Sequence, residues 1–195
     1  MKIKIFLLLF LFNFKPLTSI YADALKTCNG NVSILHDVLI SNNKSDQNLE
    51  SRFGQVQKEL NNVFDYYKMI KIIYGSNWKN ISEDHRNQLS KIFLKYISFN
   101  YSKRFHDINN LKFEILSTEE LNENVIIIRT NLIRLDNQNL SISYICSKQN
   151  NLIFDVLIQD SISEISTKKS EFRKTIQNEG PTGLIQAINK IIKVN

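Results

Sequence analysis

The chain has 195 residues, enough for one domain with a sizeable core and short for two. It is 43% hydrophobic with only 5 Gly and 2 Pro, a balance that excludes a disordered chain and fits a folded one. Its formal net charge is +6, but several of the lysines responsible lie in the first residues.

That opening, MKIKIFLLLFLFNF, carries Lys2 and Lys4, runs apolar and leads to the small residues of SIYADA. A basic start, an apolar middle of about ten residues and small residues at the cut describe a secretory signal peptide. The pattern predicts a leader over 1–22, cut after Ala22 or Ala24, and a single domain over 23–195. The apolar run is too short to span a bilayer, which takes roughly 20 residues. Lys26 and Thr27 before Cys28 are not the small apolar pair of a lipoprotein signal. Loss of Lys2, Lys4 and Lys15 with the leader takes the formal +6 to +3, which gives little support for a nucleic-acid partner. Export would place Cys28 and Cys146 in an oxidising compartment, where they permit one pairing. Cys28 lies in a loosely patterned segment, so Cys146 as a small core residue is the preferred reading and the pairing stays open.

In chain order, Asn31 to Ile40 predicts a short helix with Val32, Leu35 and Leu39 on one side. After a polar linker, Leu49 to Tyr74 predicts one long helix. Its second half is polar only at Asn61, Asp65, Lys68 and Lys71, a narrow stripe on a cylinder buried on most sides, with Asp65 and Lys68 one turn apart. Gly75 is placed to cap it. Ser82, followed by Glu83 and Asp84, starts a further helix that carries Leu89, Ile92, Phe93, Tyr96, Ile97 and Tyr101 and runs to about Phe105.

Beyond Asn110 the period becomes two. Leu111, Phe113 and Ile115 form one alternating set, and Ile126, Ile128, Thr130 and Leu132 a second. Leu140, Ile142, Tyr144 and Cys146 form a third, and Leu152, Phe154, Val156 and Ile158 a fourth. Asp136-Asn137 and Gln149-Asn150-Asn151 supply turns. Four strands with short connections predict an antiparallel meander with one apolar face. Ile162, Ile165, Phe172 and Ile176 mark a helix broken at Gly180-Pro181; Leu184, Ile185, Ile188, Ile191 and Ile192 mark the last one. The fold class is α+β, a four-stranded antiparallel sheet whose apolar face is covered by helices from both ends of the chain.

Catalytic templates find no match. His36, His85 and His106 are far apart, with no Cys or carboxylate at metal-ligand spacing. The His36-Asp37 and His106-Asp107 neighbours do not face one another as a dyad would. No glycine loop of phosphate-binding type is present, and Asp155 falls on the polar face of its strand. Aromatic residues converge instead between sheet and helices, as a packed core or as the rim of a cavity where Tyr hydroxyls meet water.

FDYYKMIKIIYGSNWKNISEDHRNQLSKIFLKYISFNYSKRF resembles the signature stretch of the MlaC family, also called the toluene-tolerance family. It has the Phe64-Asp65 pair, Met69, Gly75 at the helix end, Trp78 three beyond it, and Tyr101 before the basic Lys103-Arg104 pair. The later IFDVLIQDSISEISTKKSEFRKTIQNEGPTGLIQAINK is similar to the family's strand-into-helix segment, closest to the hopanoid-associated HpnM branch. Asp160 stands where that branch usually has Gly. The resemblance covers roughly Phe53 to Ile192. It implies a periplasmic carrier that shuttles phospholipid between an outer-membrane lipoprotein complex and an inner-membrane ABC transporter complex, with a lipid cavity, no cofactor and no bond chemistry. The alternatives are a hopanoid-related lipid carrier and, further off, a small-molecule enzyme on a similar cone of sheet and helices. The face assignments put Tyr67, Trp78, Tyr96, Ile128, Leu132, Tyr144, Phe154 and Val156 on the wall or border of that cavity.

Overall fold

The computed structural model describes residues 27–133 and 139–193; the expected leader and the Asp136-Asn137 turn lie outside them. Helix α1 (Cys28–Asn43) begins earlier than its apolar pattern, because the Thr27 hydroxyl accepts the Gly30 N–H and caps it. Its Val32, Leu35 and Leu39 are fully buried, as their spacing requires.

The long helix expected over Leu49 to Tyr74 is two helices, α2 (Leu49–Val63) and α3 (Tyr66–Tyr74). Between them Phe64 is extended and bridges Ile153 of the sheet, and the Asp65 N–H donates to the Ile153 carbonyl at 2.8 Å. Asp65 then caps α3: its Oδ1 accepts the Lys68 N–H at 2.9 Å and its Oδ2 accepts from Asn150 Nδ2 at 3.0 Å. Asp65 and Lys68, one turn apart, are thus joined through a backbone cap and not through their side-chain charges, and the Lys68 ammonium lies 3.4 Å from the centre of the Phe154 ring. Gly75 ends α3 at φ 84° and ψ −153°, a backbone region open essentially to glycine alone. A 3₁₀ turn (Ser76–Asn80) presents Trp78, and Arg86 of α4 (Glu83–Arg104) holds it by donating to the Trp78 and Lys79 carbonyls. Ser82 caps α4 as expected.

Among the described residues the sheet has five strands in sequential antiparallel order, not four: β1 (Lys112–Asn122), β2 (Val125–Ile133), β3 (Leu140–Ser147), β4 (Ile153–Ile158) and β5 (Ile162–Ser163). The added strand arises because Gln159 and Asp160 both take positive φ and turn the chain back, so that Ile162 pairs with Ile158 before the helix begins. Asp160 tolerates that conformation and accepts the Ser143 hydroxyl. On β2 and β3 the expected inward set is buried except at its ends, where Ile126 and Leu140 are half-buried, with Ile128 opposite Tyr144. Ile127, Ser143, Ile145 and Ser147 on the other face are buried as well, so these strands are covered on both sides rather than one. On β4 a register break opposite Ile145 and Cys146 shifts the alternation, so Ile153 and Val156 are buried and Phe154 is half-buried.

Asp155, expected on an exposed face, is half-buried and joins sheet to final helix. It accepts the Ser163 hydroxyl at 2.6 Å and the Ile165 N–H at 3.2 Å. Helix α5 (Glu164–Lys193) is broken at Gly180 (φ 63°, ψ −152°) before Pro181, as the sequence indicates. Helices from both ends of the chain therefore close over the inward face of the sheet. Among the described residues no helix is long and apolar enough to cross a membrane.

The two glycine hinges yield a stability test by thermal or chemical denaturation. A Cβ at Gly75 or Gly180 meets open space or ordinary contact, so any cost comes from the backbone alone. Gly75→Ala and Gly180→Ala are each expected to destabilise by about 1–3 kcal/mol. Gly54→Ala, inside α2 with nothing near its Cβ, is expected to stabilise by about 0.5–1 kcal/mol.

Candidate functional site

Where α4 and the start of α5 meet β3 and β4, side chains leave a narrow apolar crevice. One part, about 40 Å³, is lined by Met69, Phe93, Tyr96, Ile97 and Ile165. The other, about 20 Å³, is lined by Phe105, Ile142, Tyr144 and Ile158. Both also touch Tyr101, Arg104, Val156 and Glu164, so they are two ends of one crevice. Tyr101 packs edge-on to Phe64 at 5.7 Å and against Phe105 at 5.6 Å.

The polar groups inside are neutral. Burial, followed by the nearby Glu164 carboxylate, raises the Tyr101 phenol, and burial does the same to Tyr144. The Tyr144 hydroxyl shares a 3.1 Å hydrogen bond with His36 Nε2. His36 is stacked on Phe113 with ring centres 4.1 Å apart, and burial lowers its pKa to about 4, so it is uncharged at neutral pH. Charge is confined to the rim. Arg104 Nη1 donates to Glu164 Oε1 at 3.1 Å, with the two side chains 56% and 28% exposed. Lys168 donates to Glu171 at 2.7 Å and lies 5.7 Å from the centre of the Tyr96 ring; burial pulls its pKa down, but those neighbours outweigh it and the net shift is upward. Such a site can shelter an apolar group inside and meet a charged one at its edge.

Wider hollows lie elsewhere. A groove of about 430 Å³ runs between α1 and α2, but Asp37, Gln55, Lys58 and Glu59 line it together with apolar residues, and no strand residue contributes. Its mixed charge suits water, so the smaller enclosed crevice is the candidate site.

Of the residues expected on the wall, Tyr96, Tyr144 and Val156 line the crevice. Ile128 and Leu132 are fully buried on β2, one strand further in. Tyr67, Trp78 and Phe154 gather on the α3 side. Tyr67 is 43% exposed and edge-on to Trp78 at 5.5 Å, while Trp78 is buried against Tyr74. Tyr101, placed by the sequence on the apolar face of α4 and in the signature stretch, was not among the eight expected wall residues, yet it touches both parts of the crevice. Arg104 and Glu164 carry no pattern that links them, being 60 positions apart.

The family model described as MlaC protein matches residues 31–190. The chain belongs to the MlaC family. Among solved structures it is similar to a phospholipid-binding protein from Ralstonia solanacearum, solved in complex with a phospholipid. The TM-score is 0.72 at 17% identity, over 85% of this chain and 97% of that one, a likeness that carries the fold. No curated protein matches. In this MlaC-family chain the signature residues have mainly structural work: Phe64-Asp65 join helices to sheet and Gly75 turns the chain, while Met69 reaches the crevice.

His36 makes the interior sensitive to acid. Its folded pKa of about 4 lies below the ordinary 6.5, so between those values the unfolded chain holds a proton that the folded chain does not. Its stabilising contribution is complete above pH 6.5 and lost as pH falls toward 4, by on the order of 3 kcal/mol. Chemical denaturation of His36→Gln from pH 7.5 to pH 4 is expected to show that slope flattened relative to the parent chain.

Proposed function

We propose that this chain is an exported periplasmic carrier that encloses phospholipid acyl chains and hands them between membrane complexes without bond chemistry. The observation that carries the reading is the crevice, apolar inside and charged only at its rim, in a chain of the MlaC family. The phospholipid-bound neighbour of the same fold supports it. Each acyl methylene exposed to water costs about 0.8 kcal/mol, so lipid tails need a covered route between membranes.

A cavity of about 40 Å³ is far below the roughly 300–1,000 Å³ that a drug-sized ligand fills, so loading requires the seam to widen. The exposed Arg104–Glu164 pair offers little resistance, because such pairs are worth about 0–1 kcal/mol. On this reading Tyr96, Tyr144 and Val156 form the first wall. Ile128 and Leu132 become wall as helices and sheet separate, and Tyr67, Trp78 and Phe154 form the border. The tails enter and the head remains at the rim beside Arg104 and Lys168. The leader over 1–22 provides export, and the exchange partners are an outer-membrane lipoprotein complex and an inner-membrane ABC transporter complex.

Organic extraction of the purified chain followed by mass spectrometry is expected to recover phospholipid; recovery of no lipid would overturn the reading. Val156→Trp, which fills the crevice, is expected to lower the recovered lipid about tenfold. Leu116→Ser, on the exposed surface of β1, is expected to leave it unchanged, with cooperative melting retained in both variants.

A further inference from the structure

Cys28 and Cys146 are the chain's two cysteines, and the fold brings them together. Cys28 is the first residue of α1 and Cys146 lies near the end of β3; they are 3% and 0% exposed. Both are free thiols in this structure, and the Cys28 thiol donates to Asn151 Oδ1 at 3.8 Å, in the turn that follows Cys146. The placement does not depend on the sulfurs. Asn31 Nδ2, one turn along α1, donates to the Asn151 carbonyl at 2.7 Å, and Ser147 and Leu152 close the same turn through a 3.0 Å backbone bond. Helix α1 is therefore docked on this end of the sheet by contacts independent of the sulfurs, with Cys28 against the turn that follows Cys146.

We propose that Cys28 and Cys146 form an intramolecular disulfide that staples the first turn of α1 to β3. The proposal rests on the export reading above, since a reducing compartment keeps such thiols apart. Cleavage after either Ala22 or Ala24 leaves Cys28 in the mature chain. With only two cysteines there is one intramolecular pairing and no competing one.

The chemistry is ordinary thiol–disulfide exchange with an oxidant of the disulfide class, such as oxidised glutathione or a thiol–disulfide oxidoreductase. The Cys28 thiolate attacks one oxidant sulfur, forming a mixed disulfide and releasing one oxidant thiol. The Cys146 thiolate then attacks Cys28 Sγ and releases the second. Two protein thiols are oxidised by two electrons, and their two protons end on the two thiols of the reduced oxidant. Both sulfurs are covered in the folded chain, so the bond forms as the chain folds or as the first turn of α1 frays.

The staple would sit at the far end of β3 from Ile142, which lines the crevice beside Ile158 and Arg104. It would hold α1 on the sheet and leave the Arg104–Glu164 side free to open.

The test uses the full chain, refolded from denaturant with oxidised glutathione and alkylated under denaturing conditions. Peptide mapping is expected to join the Cys28 and Cys146 peptides, with neither cysteine alkylated unless a reductant is added first. Reduction is expected to lower the melting midpoint by about 5–15 °C, and Cys146→Ser to make the midpoint insensitive to reductant. Two alkylatable cysteines after refolding, or only intermolecular dimers, would overturn the pairing. The same mapping on protein expressed with its own leader separates the two readings. A crosslink in the exported fraction upholds both. Crosslinking on refolding, with the cellular protein retained in the cytoplasm as free thiols, overturns export and upholds the pairing geometry.

Discussion

Asp65 is the joint on which the architecture turns. Its backbone N–H is bonded to Ile153, one carboxylate oxygen caps α3 and the other holds Asn150 of the β3–β4 turn. One residue thus ends the run of α2 and α3, starts a helix in a new direction and pins both to the sheet. At Ile153 the pairing with β3 also changes register, so Ile153 turns inward, Phe154 moves aside and Val156 reaches the crevice.

The interior follows a simple electrostatic rule. Around the crevice the buried polar groups are neutral, with Tyr144 bonded to His36 and Thr130 donating to the Ile142 carbonyl. The buried Arg52 guanidinium lies outside the crevice lining and donates to the Gln47 and Ser102 carbonyls. Neutral hydrogen-bonded groups can be buried at small cost, whereas an unpaired charge cannot. Charges gather where α4 and α5 meet solvent, and there Arg104 and Glu164 face each other across the crevice. The seam is therefore closed by van der Waals contact among aromatic and aliphatic side chains, with a weak ion pair at its edge. On the proposed carrier reading, apolar cargo replaces that packing as the seam opens.

Much of this was legible from residue order. The helix starts at Ser82, the breaks at Gly75 and Gly180, the inward sets of β2 and β3 and the family signature all depend on neighbours a few positions apart. Three features were not: the break at Phe64-Asp65, the shifted alternation on β4 and the short fifth strand. Each arises from contact between distant segments, or from a turn whose conformation Gln159 and Asp160 adopt against their usual preference. A hydrophobic period of 3.6 continues smoothly through Asp65, so nothing local announced that Ile153 would interrupt it.

The site divides in the same way. Periodicity placed Tyr96, Tyr144 and Val156 on faces that point inward, because each face is set by the helical or strand repeat. Which of the inward aromatics would line the crevice, and which would pack to one side of it as Trp78 does against Tyr67 and Tyr74, was decided by packing. So were the meeting of Arg104 with Glu164 and of Cys28 with Cys146, pairs separated by long stretches of chain. Residue order determined most of the elements, the faces of the helices and the family. The tertiary structure alone decided the break at Phe64-Asp65, the fifth strand, the alternation on β4 and the crevice, because packing and hydrogen bonds depend on distance in space, which the local repeat does not encode.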